Sequence, residues 1–151
     1  MRIYLDCCCL NRPFDDRSQD RVRIEIAALE IIMERVANGT WILLGSDVLA
    51  AELEEIPDPE RRHAVTALLL HAKEWIVTSP EVVDLASEFT AAGIDAMDAL
   101  HLASATVGEA DAFLTVDTRL YKRAQRVHDP KPVATFLPAI WLEGLTKESS
   151  S

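Results

Sequence analysis

Four carboxylates stand at comparable points of this chain: Asp6, Glu52, Asp98 and Asp117. Asp6 ends the apolar run Ile3-Tyr4-Leu5, and Asp117 follows Ala112-Phe113-Leu114-Thr115-Val116. Glu52 lies in the helix expected just after the run Trp41–Gly45, and Asp98 in the first turn of an apolar helix. Asp6 or Asp117 alone could equally be a cap or turn former, and Glu52 has rivals in Glu54 and Glu55. Four of them on one edge would repel one another and raise each other's pKa. A divalent cation removes that conflict, and an oxygen donor set without Cys or clustered His favours Mg²⁺ or Mn²⁺. Such a centre activates water and neutralises charge on a phosphodiester. The expected ligands are Asp6, Asp98 and Asp117, with Glu52 nearby and reaching through water.

The stretch Gly93 to Ala105 carries the clearest of these signals. Ala96, Ala99, Leu100, Ala103 and Val107 recur at helical spacing, and Leu102 and Ala105 make the remaining circumference nearly as apolar. Such a helix belongs in the interior. Asp95 is placed to cap it, and Asp98 then needs a cation or hydrogen-bond donors opposite it. His101 follows one turn later and Ser104 a further turn on. The pair reads either as a support that orients Asp98 or as core groups, with His101 hydrogen-bonded to backbone in preference to ligating a metal directly.

The elements that must position these groups alternate. Strands are expected at Ile3–Asp6, Trp41–Gly45, Trp75–Thr78, Ala112–Thr115 and Val133–Phe136. Continuous apolar runs of this kind are found in buried parallel sheets. Helices are expected at Asp20–Ala37, stopped by Asn38-Gly39, and after Ser46 or Asp47. Others follow Pro57-Asp58-Pro59, open at Ser79-Pro80, run from Ala96 to about Gly108, from Thr118 to Val127, and from Pro138 to Leu145. The first long helix carries two apolar faces: Val22, Ile26, Leu29, Met33 and Val36 on one, Ile24, Ala27, Ala28 and Ile31 on the other. It is wedged between the sheet and a neighbour, or forms a dimer seam. Alternating strands and helices imply one α/β sandwich with a mainly parallel sheet. In such sheets the reactive crevice lies beyond the carboxyl ends of the strands. One domain is expected over 1–146, with 147–151 as a loose tail.

The totals fit that frame. The 151 residues suffice for one domain with a proper core, and 49% hydrophobic with 26% charged residues describe a globular chain. No apolar run approaches the ~20 residues of a membrane helix, and the charged amino terminus has no signal-peptide core. A cytoplasmic protein without a membrane partner is expected. A net charge of −10 argues against bulk electrostatic binding of nucleic acid, but not against a nuclease whose own ligands contribute to it. The only cysteines, Cys7, Cys8 and Cys9, are consecutive. They cannot converge on one tetrahedral metal and make a poor disulfide framework, so small buried residues are expected.

Ile3-Tyr4-Leu5-Asp6, Ser46 to Glu52, Asp98-Ala99-Leu100-His101-Leu102-Ala103 and Phe113-Leu114-Thr115-Val116-Asp117 resemble the four motifs of PIN-domain proteins, among them VapC-like toxin ribonucleases. The resemblance spans almost the whole chain. It implies a three-layer α/β/α sandwich and a Mg²⁺- or Mn²⁺-dependent endoribonuclease acting on single-stranded RNA. It also implies a homodimer held by a cognate antitoxin. Carried over, Asp6, Glu52, Asp98 and Asp117 form the catalytic quartet, and Thr115 matches the small hydroxyl position before the fourth acid. One departure stands out. The family usually places a hydroxyl or amide soon after the first acid, where this chain has Cys7 to Cys9; Asn11 is the nearest substitute. Local candidates for RNA contact are Arg12, Arg17, Arg119, Lys122 and Arg123, with Arg126 and Lys131 beyond. Surface bases of this sort otherwise serve solubility.

Competing folds fit less well. A receiver-type phosphoacceptor would pair acids at the end of strand one, and a haloacid-dehalogenase phosphatase would have Asp where Cys8 stands. The remaining alternative is a PIN-like domain that binds RNA or protein without cleaving.

Overall fold

The computed structural model describes residues 1–150, with side chains described through Glu148. Five strands form one sheet: β1 (Arg2–Leu5), β2 (Ile42–Ser46), β3 (Glu74–Ile76), β4 (Ala112–Leu114) and β5 (Thr135–Phe136). Their order is β3-β2-β1-β4-β5 and every pairing is parallel. Helices flank the sheet in a three-layer α/β/α sandwich. They are α1 (Cys7–Asn11), α2 (Asp20–Ala37), α3 (Asp47–Glu54), α4 (Pro59–Leu69), α5 (Pro80–Ala91), α6 (Ala96–Val107), α7 (Thr118–Gln125) and α8 (Pro138–Ser150).

The central strands follow from their composition. Ile3, Tyr4, Leu5, Phe113 and Leu114 are essentially inaccessible, as expected of strands covered on both faces. The chain leaves β1 toward β2 on one side and reaches β4 on the other, so the strand order reverses between β1 and β4. That is where an α/β sheet opens a crevice at its carboxyl edge. Ile3, Tyr4 and Leu5 of β1 register with Ala112, Phe113 and Leu114, and Asp6 N–H extends the pairing to the Leu114 carbonyl at 3.0 Å. Asp6 and Thr115 are thereby side by side.

The helices α1, α3 and α7 start at this edge because each follows closely on the end of β1, β2 or β4. Ser46 caps α3, its hydroxyl accepting from Leu49 N–H. Gly93, at φ +106°, supplies the left-handed residue that closes α5 and turns the chain into α6. The α6 interior face of Ala99, His101, Leu102, Ala103, Ser104 and Ala105 is buried.

Several local expectations change. The Asp95 side chain makes no capping bond to α6; Arg123 Nη1 lies 3.1 Å from its carboxylate instead. Residues Cys7–Asn11 form a helix and Arg12–Phe14 a 3₁₀ turn, where turn-forming residues predict a loop around Asn11 to Asp16. Asp6 caps that helix by accepting from Cys7 N–H, a signal masked by three consecutive cysteines of weak helix propensity. The α2 helix packs against α8, and Ala28 of its second face is buried, while Ile24 is 60% and Ile31 41% exposed on that face. The last helix does not stop at Leu145. It continues to Ser150 across most of the stretch expected as a loose tail, with a Glu143–Lys147 ion pair one turn apart. Ser151 lies outside the described residues.

Candidate metal centre at the carboxyl edge of the sheet

Asp6 is the fixed point of the site. Its carboxylate is 5% exposed. One oxygen accepts from Cys7 N–H at 2.8 Å, and the other from the Thr115 hydroxyl at 3.0 Å and the Cys8 thiol at 3.3 Å. Burial pushes the Asp6 pKa up, against the His101 charge and these donors. Its oxygens are therefore placed by the backbone of α1 and the end of β4 rather than by a cation of the protein.

Glu52 and His101 close on Asp6 from α3 and α6. Single ligand atoms of the three side chains lie within 4.8 Å of one another. His101 is 1% exposed; its Nε2 stands 3.3 and 3.4 Å from the two Glu52 oxygens, and its Nδ1 2.7 Å from the Tyr4 hydroxyl. Tyr4 in turn meets Ser46 Oγ at 2.8 Å, so the α3 cap and the His101 ring belong to one hydrogen-bonded chain. Burial pulls the His101 pKa down, but the Glu52 hydrogen bond and the charges of Asp6, Glu52 and Asp98 leave it raised. Glu52 is held below its ordinary value because His101 and Cys7 outweigh its burial. Burial, then the Glu52 carboxylate, push the Cys7 thiol up, so it remains a neutral neighbour.

Asp98 lies beside this group rather than in it. Burial, then the charges of Asp6 and Asp117, push its carboxyl to about 6. A rise of that origin reports close anionic neighbours, as expected where acids share an edge. Asp117 is exposed and caps α7, accepting from Arg119 N–H at 2.9 Å and Leu120 N–H at 3.2 Å. Among the described residues, no Lys or Arg pairs with Asp6, Glu52, Asp98 or Asp117. A net-anionic pocket with that much burial fits a divalent cation, which would supply the missing charge.

The tight trio thus differs from the expected Asp6, Asp98 and Asp117. Glu52, expected at one remove, stands with Asp6, and His101 joins them; Asp98 and Asp117 flank the trio. His101 bonds to side chains rather than backbone, and it touches Glu52 rather than Asp98. Thr115 is where the motif puts it. Asn11 is not at the carboxylates: its amide donates to the Cys7 carbonyl and thiol, one turn away. The Cys8 thiol occupies the position beside Asp6 instead. Tyr4 is not legible as a site residue, because a tyrosine inside an apolar strand reads as core; only its hydroxyl, facing a helix histidine, distinguishes it.

Of the basic candidates, Arg12 pairs with Asp15 and Glu25, Arg17 with Glu30, and Arg123 with Asp95. Arg119 and Lys122, on α7 just past Asp117, are exposed and form no ion pair among the described residues.

No family model matches the chain, and no curated protein matches it by sequence. Among solved structures it is similar to a chain of the VapBC2 complex from Rickettsia felis, determined bound to a DNA fragment from their promoter. That match has a TM-score of 0.56 at 16% identity and covers 91% of this chain and 98% of the other. The fold is PIN-like. At that identity the likeness establishes architecture, and the chemistry must come from the side chains. No helix is long and apolar enough to cross a membrane among the described residues.

Proposed function

We propose that this chain is a divalent-metal-dependent endoribonuclease acting on single-stranded RNA, the toxin of a toxin–antitoxin pair. The observation that carries the proposal is the buried anionic pocket of Asp6 and Glu52, flanked by Asp98 and Asp117, without a Lys or Arg partner. A bound Mg²⁺ or Mn²⁺ would neutralise phosphodiester charge and acidify water. Asp6 and Glu52 supply carboxylates for it, and Thr115 and Cys8 hold Asp6 in place. Asp98, beside these carboxylates, would accept a proton from the attacking water. Arg119 and Lys122 lie on the same edge and attract the RNA backbone. Hydrolysis leaves a 5′-phosphate. The likeness to a chain of a VapBC complex supports a cognate antitoxin as partner, in a cytoplasmic setting. The exposed apolar face of α2 supports a homodimer.

The test is cleavage of a broad panel of single-stranded RNAs by purified protein with Mn²⁺. Wild type is expected to exceed Asp98→Asn by orders of magnitude. Equal rates would leave the non-cleaving, RNA- or protein-binding alternative.

A further inference from the structure

The donors that meet most closely in this pocket are not all oxygen. His101 Nε2 and Glu52 Oε1 stand 3.3 Å apart, and one ligand atom each from Asp6, Glu52 and His101 lies within 4.8 Å of the other two. Two donors about 2.0–2.1 Å from a tetrahedral ion stand about 3.3 Å apart, so His101 and Glu52 already have the spacing of adjacent ligands. The ring is also held as a ligand would be. Histidine ligands are oriented through the nitrogen that does not bind, and here that nitrogen meets the Tyr4 hydroxyl at 2.7 Å. We propose that His101 binds the ion directly through Nε2, making an Asp6–Glu52–His101 site that prefers first-row transition ions to Mg²⁺.

The proton bookkeeping closes without another group. When Nε2 donates to Glu52, Nδ1 accepts from the Tyr4 hydroxyl, and Tyr4 accepts from Ser46. When Nε2 binds an ion, the single imidazole proton is transferred through solvent from Nε2 to Nδ1 with no net proton released, and Nδ1 then donates to the Tyr4 oxygen. Tyr4 then donates to Ser46 Oγ, which also accepts from Leu49 N–H. The same three side chains serve both states with their directions reversed. Imidazole suits ions such as Co²⁺ and Zn²⁺ and is a poor ligand for Mg²⁺, which takes oxygen donors and retains its waters.

The inference rests on the metal-site part of the proposed function and not on RNA cleavage. The experiment uses metal-depleted full chain and metal ions alone. Electron spin echo spectra of the Mn²⁺-loaded wild type should show nitrogen modulation from an imidazole, absent in His101→Gln. Calorimetric titration should give Co²⁺ at least about tenfold tighter than Mg²⁺ in wild type. His101→Gln should weaken Co²⁺ by about tenfold or more while changing Mg²⁺ less than about threefold, and Tyr4→Phe should weaken Co²⁺ in the same direction. Absence of nitrogen modulation in wild type overturns the proposal whether or not His101→Gln folds, as does an unchanged Co²⁺ preference in a folded variant. Imidazole ligation without RNA cleavage would sink the nuclease alone, and cleavage without imidazole ligation would sink this proposal alone.

Discussion

Thr115 Oγ1 lies 3.0 Å from Asp6 Oδ2, and the same hydroxyl accepts the Asp117 backbone N–H at 3.1 Å. One buried side chain therefore joins Asp6, the first of the four acids at this edge, to Asp117, the last of them. Its position follows from β1–β4 register, which brings Asp6 beside Thr115. The hydroxyl fixes a carboxylate that burial would otherwise leave short of donors.

Thr115→Val keeps the shape but leaves Asp6 Oδ2 with the Cys8 thiol alone. A lost partner at a buried acceptor costs about 1–3 kcal/mol. Urea denaturation of metal-free protein should register a loss in that range, with Thr115→Ser recovering most of it. Unchanged midpoints for Thr115→Val would show that the hydroxyl does not support Asp6.

Cys8 stands beside Asp6 where a hydroxyl would donate more strongly. A thiol donates weakly, and its sulfur sits 3.3 Å from both Asp6 Oδ2 and Thr115 Oγ1. Cys8→Ser should bring a better donor to Asp6 and raise Mn²⁺-dependent cleavage severalfold, whereas Cys8→Ala should lower it. Initial rates on one RNA would rank the three proteins. A serine variant slower than alanine would contradict this role.

Much of this architecture is legible in the residues. The apolar runs, the Asn38-Gly39 and Gly93 stops and the Ser46 cap place the strands and helices, because each is a local signal with a local cause. Asp6, Asp98 and Asp117 are legible because each sits where a strand ends or a helix begins, and Glu52 because its helix follows directly on β2. What escapes is set by contacts between distant segments. Nothing near Tyr4 says that its hydroxyl meets His101, 97 positions away. Nothing near Asp95 says that Arg123 takes the carboxylate from its capping role. The thiols of Cys7 and Cys8 touch the acids because Asp6 starts a helix through them, and short helices built on a single cap leave little pattern.

The outer face of α2 carries the next prediction. Ile24 and Ile31 are exposed, and Ile24 borders a groove with Pro138, Ala139 and Ile140 of α8. Ile140 is itself 67% exposed. Apolar groups gathered this way mark contact surfaces. Sedimentation at micromolar concentration should give the mass of a dimer for wild type and a shift toward monomer for Ile24→Lys with Ile140→Lys. A wild-type monomer at all concentrations would remove the dimer from the proposed function.

The last prediction concerns Asp98 and pH. Its carboxyl titrates near 6 in the folded, metal-free protein against an ordinary value of 3.8. Between those values the folded chain holds a proton that the unfolded chain has lost. The Asp98 contribution to stability therefore falls as pH rises from about 4 to about 6 and then levels off. The raised pKa values of Asp6 and His101 act with the same sign. Glu52, held low, loses its contribution only on acidification below its ordinary range. The gap between the two Asp98 values sets a ceiling of about 3 kcal/mol, lowered by solvent at its partly exposed position. Metal-free wild type should melt several degrees higher at pH 5 than at pH 7.5, by the usual relation between free energy and melting temperature. Asp98→Asn should flatten part of that slope and be the more stable protein at pH 7.5, because the amide removes a charge that Asp6 and Asp117 repel. Saturating Mn²⁺ should invert the wild-type slope, since ligation favours the deprotonated carboxylates and grows stronger as pH rises through 6. Scanning calorimetry across that range, with chelator and with Mn²⁺, measures both slopes. Parallel curves for wild type and Asp98→Asn in chelator would show that Asp98 does not feel its acidic neighbours.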